Sequence, residues 1–268
     1  MIESFSFRQL ARLFLVLALA GGAFTACGKK SEPAAPATPG ATQPSGSPEA
    51  FAPPISGPVT PAVVTEGPDS ITHFLHYPKD AEAAKLEGAV QFFCDVTQDG
   101  VVESIHALVS KDDTFKRAVQ SALDWGHFTP ATVNGQPVRV YLGGTVLFFF
   151  QDDQPIIVVS LATHDRDRVS KLANYVQPQL IGGLRHTLET AINSLTQGIL
   201  LSGKAEVIVS VDKNGAVTGT SNITETPKGS GLGLLLDKAL RKAQFTPAYE
   251  NGSPAAGGIN VVADFTVY

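Results

Sequence analysis

The chain has 268 residues, enough for one or two domains. Hydrophobic residues make up 43% of it, which suffices for a packed core and excludes a wholly disordered chain. The formal net charge is −5, and no basic run or basic-aromatic stripe is present, which argues against nucleic acid as a partner.

The N-terminus reads as a targeting segment. Arg8 and Arg12 precede an apolar run, "LFLVLALAGGAF", over residues 13–24. A spanning helix needs about 20 apolar residues, whereas the core of a signal peptide needs only about 7–15. The run ends in "FTAC", which resembles the lipobox of bacterial lipoproteins, with Phe24 where that family usually has Leu. The resemblance implies a signal peptide over residues 1–26 and an acylated Cys27 as the mature N-terminus. Gly28 in place of Asp implies, by the enterobacterial sorting rule, the outer membrane; the inner membrane is the alternative. An uncleaved anchor that uses residues 21–24 to lengthen its span is the rival reading. Cys27 and Cys94 are the only cysteines, so lipidation of the first leaves the second without a disulfide partner. Cys94 shares the apolar alternation of "VQFFCDV" and reads as a small core residue.

Residues 27–70 are expected to form a lipidated cysteine followed by a disordered linker. The stretch is dense in Pro, Ala, Gly, Ser and Thr, which bury too little apolar surface to offset the entropy of ordering. Frequent prolines favour polyproline II, at about 3.1 Å per residue. The expected arrangement is a lipid anchor, a semi-stiff leash and a globular cargo.

The first globular region is expected over residues 71–150. "YPKDAEAAKLEG" reads as a short helix, with Pro78 at its start and Gly88 as a stop. "GAVQFFCDV" alternates: Val90, Phe92, Cys94 and Val96 share one face, Gln91 and Asp95 the other. Asp99-Gly100 signals a hairpin turn, with "VVESIHALVS" as the return strand. "DDTFKRAVQSALDWG" predicts a helix capped by Asp112 or Asp113, with Phe115, Val119, Ala122 and Leu123 in one stripe. "PVRVYLGGTVLFFF" reads as a long final strand, and Gly143-Gly144 as a bulge or bend in it. The α-β-β-α-β order predicts a small antiparallel sheet with helices on one face.

The chain then repeats itself. "GKAEVIVSVDKNGAV" at Gly203 lies 115 residues after "GAVQFFCDVTQDGVV" at Gly88. Ala205, Val207, Val209 and Val211 fall on Val90, Phe92, Cys94 and Val96. "GLLLDKALRKAQ" precedes "FTPAYENGSP", as "FKRAVQSALDWGH" precedes "FTPATVNGQP", and "INVVADFTVY" closes the chain. This pattern predicts a duplicated domain over residues 199–268. Lys242 stands where the first copy has Trp125. Residues 151–198 are expected to connect the copies: "PIIVVSL" as a buried strand, "DRDRVSKLANY" and "LIGGLRHTLETAINSL" as helices.

Tyr77-Pro78 with Ala81, then "DVTQDG" from Asp95, then Trp125 and "FTPA", then Asn134-Gly135 and Pro137-Val138, resemble the C-terminal domain of the TonB energy-transducer family. The likeness is close over residues 71–150 and looser over 199–268. It implies an α+β fold of two small domains, each a short antiparallel sheet of about three strands packed by helices. It implies a periplasmic, non-enzymatic binding protein without cofactor, whose partners are TonB-dependent outer-membrane receptors or other envelope proteins. In such domains the final strand lends an open edge to an extended segment of the receptor. The implied partner-binding residues are Val138, Arg139, Val140, Tyr141, Leu142, Thr145 and Leu147, with Ile259–Thr266 in the second copy. The lipobox departs from the membrane-spanning anchor of the family's transducers. A true inner-membrane transducer, or an envelope scaffold that self-associates, remain the alternatives.

No stretch points to catalysis. His73 and His76 stand three apart, but no Cys, Asp or Glu cluster nearby completes a metal site. "THDRD" at 163–167 reads as an exposed loop or cap. "GSGLG" at 229–233 lacks the Lys of a P-loop and reads as a flexible connection.

Overall fold

The structure, a computed structural model, describes residues 51–163, 174–195 and 201–267. The expected signal peptide, Cys27 and the linker up to residue 50 lie outside these residues, as do 165–173 of the expected helix "DRDRVSKLANY". The expected linker ends earlier than residue 70. Strands β1 (Val59–Thr60) and β2 (Val63–Val64) form there, and Ala62 between them is fully buried. The cause is local: "VTPAVV" supplies an apolar cluster that the Pro-rich average conceals, and Pro61 sits between the strands, where no ladder needs its missing N–H.

Helix α1 (Ile71–Phe74) begins at Ser70, whose Oγ accepts from Thr72 N at 3.2 Å. Pro78 sets the entry to α2 (Lys79–Ala83), a shorter helix than the sequence suggests. Strands β3 (Gly88–Val96) and β4 (Val102–Val109) form the expected hairpin. Helix α3 (Asp113–Trp125) is capped by Asp112, whose carboxylate accepts from Thr114 N at 2.7 Å, and its buried stripe is Phe115, Val119, Ala122 and Leu123, as expected. Short strands β5 (Phe128–Thr129), β6 (Ala131–Val133) and β7 (Gln136–Val138) lead to β8 (Val140–Gln151). A tight turn at Asp152-Asp153 returns the chain as β9 (Gln154–Ser160), which is half-buried rather than buried.

Then come β10 (Tyr175–Val176), β11 (Leu180–Ile181) and α4 (Leu184–Leu195). Leu180 and Ile181 are thus strand, not the start of the expected helix. The last part contains β12 (Lys204–Val211), β13 (Val217–Thr226), α5 (Leu232–Arg241), β14 (Ala248–Glu250), β15 (Ser253–Ala255) and β16 (Gly257–Asp264), followed by a 3-10 turn at Phe265–Val267. No helix among the described residues is long and apolar enough to cross a membrane.

The result is mixed α+β, with short antiparallel sheets and few helices, as the sequence predicts. The first sheet runs β4-β3-β8, with β9 and β11 sharing the far edge of β8. The second runs β13-β12-β16, the same relative order. The described residues form one compact unit. Gly143 and Gly144 make no bulge: β8 pairs with β3 in unbroken register from Gly88↔Phe148 to Val96↔Val140. They serve close approach instead. A Cβ on Gly144 would collide with the Phe92 ring, and one on Gly143 would lie 2.8 Å from Gln177 Nε2.

Two cores divide the molecule. On the front of the first sheet, Val90, Phe92, Cys94, Leu142 and Phe148 pack against Ile71, Phe115 and Val119. The Phe115 and Phe148 rings meet at a tilt of 32° with centroids 4.6 Å apart, and each fully buried aromatic of this kind stabilises by about 1.5–3 kcal/mol. The second core joins Val207, Val209, Leu236, Leu240, Phe245 and Val261 with Leu184 and Leu188 of α4. It also takes in Phe93 and Tyr141 from the back of the first sheet.

Candidate partner-binding edge

Strand β8 carries the residues expected to bind a partner, so its two edges decide what they can do. One edge is bonded to β3 along its whole pairing. A two-residue turn makes Gln151↔Gln154 a hydrogen-bonded pair, and alternation then points residues 145, 147, 149 and 151 toward β9. Thr145 to Gln151 pair with Ser160 to Gln154 without a register shift. Further along the same edge, Tyr141 pairs with Leu180 and Val140 with Ile181, and Arg139 O accepts from Gly182 N at 2.9 Å.

Between β9 and β11 a side chain takes the place of a strand. Gln177 is 1% exposed, and its Nε2 donates to Gly143 O at 3.1 Å. Its Oε1 accepts from Thr163 N at 3.1 Å and from Thr163 Oγ1 at 3.0 Å. The expected open edge is therefore covered by the chain itself. The reason is non-local: residues 154–160 and 177–182, which follow the family-like region, fold back onto it.

The individual residues follow suit. Val138 ends β7 and pairs with Ala131. Arg139 turns its guanidinium to Glu103, Nη2 to Oε1 at 2.9 Å. Val140 and Leu142 point into the first core. Tyr141 is fully buried on the other face, where its Oη accepts from Val262 N at 2.8 Å. Thr145 Oγ1 donates to Ala162 O at 2.6 Å, and Leu147 pairs with Val158 and Ala89. In the second half, β16 is bonded to β12 on one side and mostly buried, and Thr266 lies beyond it in the 3-10 turn.

The polar face of β3 is also closed. Asp95 is fully buried, and its Oδ1 accepts from Leu184 N at 2.8 Å and its Oδ2 from Arg185 N at 3.2 Å. It thereby supplies the cap that Gly182-Gly183 cannot give α4. His106 Nε2 lies 3.1 Å from Asp95 Oδ2. The register shift between Phe93 and Cys94 leaves His106 as the extra residue of β4, turned to the back face beside the Tyr141 ring. Nothing in the sequence singled out Asp95, His106, Gln177 or Gln179 for this closure. A second amide repeats the device of Gln177: Gln179 Nε2 donates to Ala62 O and its Oε1 accepts from Ala62 N, both at 2.7 Å.

Cys94 is fully buried, and burial, followed by the charge of Asp95, raises its thiol well above the usual range. His73 and His76 are exposed, and His164 lies outside the described residues. The "GSGLG" loop wraps the Glu225 carboxylate, which accepts from Gly229 N at 2.8 Å and Gly233 N at 2.9 Å. The bond from Gly233, with those from Gly231, Gly229 and Ser230, outweighs desolvation and holds this carboxyl below the usual range. Among the described residues no group of His, Cys, Asp and Glu could hold a metal ion.

No curated protein and no solved structure matches the chain. Residues 74–149, from α1 to β8, match the family described as the Gram-negative bacterial TonB protein C-terminal.

Proposed function

We propose that the protein is a TonB-like envelope protein, not an enzyme, that engages envelope partners by β-strand addition in TonB-dependent transport across the outer membrane. The observation that carries this reading is the match of residues 74–149 to a family of binding and transduction domains. In the finer reading, residues 1–26 are a signal peptide and Cys27 carries the lipid that holds the protein in the periplasm at the outer membrane. The chain that follows is a leash, and residues 199–268 are a degenerate second copy of the domain. Support for the copy comes from the shared strand order, from register shifts at Asp95/Val96 and Ser210/Val211, and from matching turns at Asn134-Gly135 and Asn251-Gly252. Val138, Arg139, Val140, Tyr141, Leu142, Thr145 and Leu147 serve as an acceptor edge in this reading only after β11 and β9 give way.

An NMR titration of the full chain with TonB-box peptides tests strand addition; amide shifts confined to the first sheet are expected, and their absence from both sheets overturns it. Mass spectrometry of the mature N-terminus tests the anchor, because an intact Met1 supports an inner-membrane transducer instead. A self-associating envelope scaffold is favoured by one observation, the pairing of β8 on both of its edges within the chain. Sedimentation velocity showing a monomer at tens of micromolar excludes it.

A further inference from the structure

Five strands border the two sheets, and four of them are defended against pairing; the outer side of β11 is taken by Gln244 and Phe245. β4 carries two register shifts and the charged Glu103, and just before it Val101 bridges to His127. β13 carries two register shifts, a left-handed Asn222 (φ +49°) and an exposed run that is polar except for Ile223. β16 turns its Val262 N–H to Tyr141 Oη. Bulges, charges and covering groups are the usual ways in which proteins blunt a sheet edge.

β9 has none of these, and its one blunting residue is Pro155 near its start. Its register with β8 is unbroken, and "QPIIVVS" contains no charged side chain. Residues 154, 156, 158 and 160 bond to β8, so residues 155, 157 and 159 face outward. Pro155, which cannot donate, falls on an outward position, as expected of an edge. Beyond them, Leu161 O is already taken by Gln177 N at 2.9 Å. The open stretch among the described residues thus offers three carbonyls and two N–H groups. Ile157 and Val159 pack on the first core, and Ile156 and Val158 lie half-buried on the opposite face beside Leu147 and Phe149.

We infer that the outer edge of β9, over Pro155–Val159, is the acceptor for an extended, uncharged, apolar segment of a partner. This rests on the strand-addition reading and moves its site from β8, whose edge is filled, to a strand outside the family match. The absence of charge selects an uncharged ligand, and apolar side chains on both faces of β9 extend naturally to apolar neighbours on the added strand. A second copy of this chain fits less well. Pairing β9 with itself meets the missing Pro155 N–H twice, a peptide only once.

The test is residue-resolved amide hydrogen exchange on the full chain, with and without a synthetic TonB-box peptide. The inference expects new protection at Ile157 and Val159, with Leu180 and Gly182 unchanged. Val159→Pro removes one outward N–H and no bond to β8, and it is expected to weaken the peptide about fivefold. Val159→Thr keeps the N–H and the affinity. If Val159→Pro does not fold, the exchange pattern of the unsubstituted chain decides. Protection gained at Arg139–Gly143, with loss at Leu180 and Gly182, overturns the inference and leaves strand addition standing at β8. Protection of Ile157 and Val159 that grows with protein concentration and needs no peptide overturns it in favour of a second copy. No binding at all overturns the strand-addition reading together with this inference.

Discussion

The two halves of the molecule follow one path with different means. In the first, Phe92, Phe115 and Phe148 fill the core; the equivalent positions in the second hold Val207, Leu232 and Phe265. The buried residues of the first core all come from residues 62–161. The second core is incomplete without Phe93 and Tyr141, which belong to the first sheet, and without α4. A sheet with a single helix and small β-branched side chains cannot enclose itself, and here it closes against the back of its neighbour. The lesson is that a shared path does not imply shared autonomy.

The most severe way to break this comparison is to cut it. A fragment of residues 51–163 is expected to melt cooperatively, whereas one of residues 199–268 is expected to lack fixed tertiary structure by near-ultraviolet circular dichroism. A folded second fragment would sink the asymmetry. Next in size is Asp95→Ala, which removes the acceptor of the first two N–H groups of α4 in a buried site. Each buried donor left without its acceptor costs about 1–3 kcal/mol, and here there are two, read from denaturant unfolding. Exchange at Leu184 and Arg185 should rise more than exchange in α3. Tyr141→Phe keeps the ring in the second core but orphans Val262 N–H, at a cost of about 1–3 kcal/mol. Its loss should appear in β16 before β3.

The smallest effect concerns pH. The Glu225 carboxyl is held below its unfolded value, so its contribution to stability is present above that unfolded value, near 4.3, and is lost as pH falls through the lower folded one. Glu225→Gln should flatten this part of the acid unfolding curve, and the protection factors of the first turn of α5, corrected for intrinsic exchange, should stop changing with pH there. An unchanged curve would show that the loop does not depend on the charge.

Much of the fold was legible because its signals are local. Period-two alternation located β3 and β12, Asp112 marked the start of α3, and Asn134-Gly135 and Asn251-Gly252 adopt the positive φ that their turns require. What was not legible depends on contacts between distant residues. Alternation separates Asp95 from Cys94 but cannot say that the polar face will be covered by α4. Gln177 and Gln179 flank a proline and look like a loop, yet each side-chain amide completes a backbone ladder. The occupied edge of β8 was hidden for the same reason: the strands that fill it have no counterpart in the pattern that identified the domain.

The packed end of the expected leash has a mechanical meaning. A tension entering at residue 51 does not reach the family-like domain first. It meets the Phe51 ring under the Arg241 guanidinium, 5.1 Å away, and then the bond from Ala52 N to Arg241 O, both anchored in the second half. Only then does it reach β1, where Val59 pairs with the first half while its carbonyl accepts from the Tyr249 hydroxyl of the second. That path runs through the second half before the first. A load applied at residue 51 would thus be met by contacts of the second half before it reached the sheet matched to the TonB family.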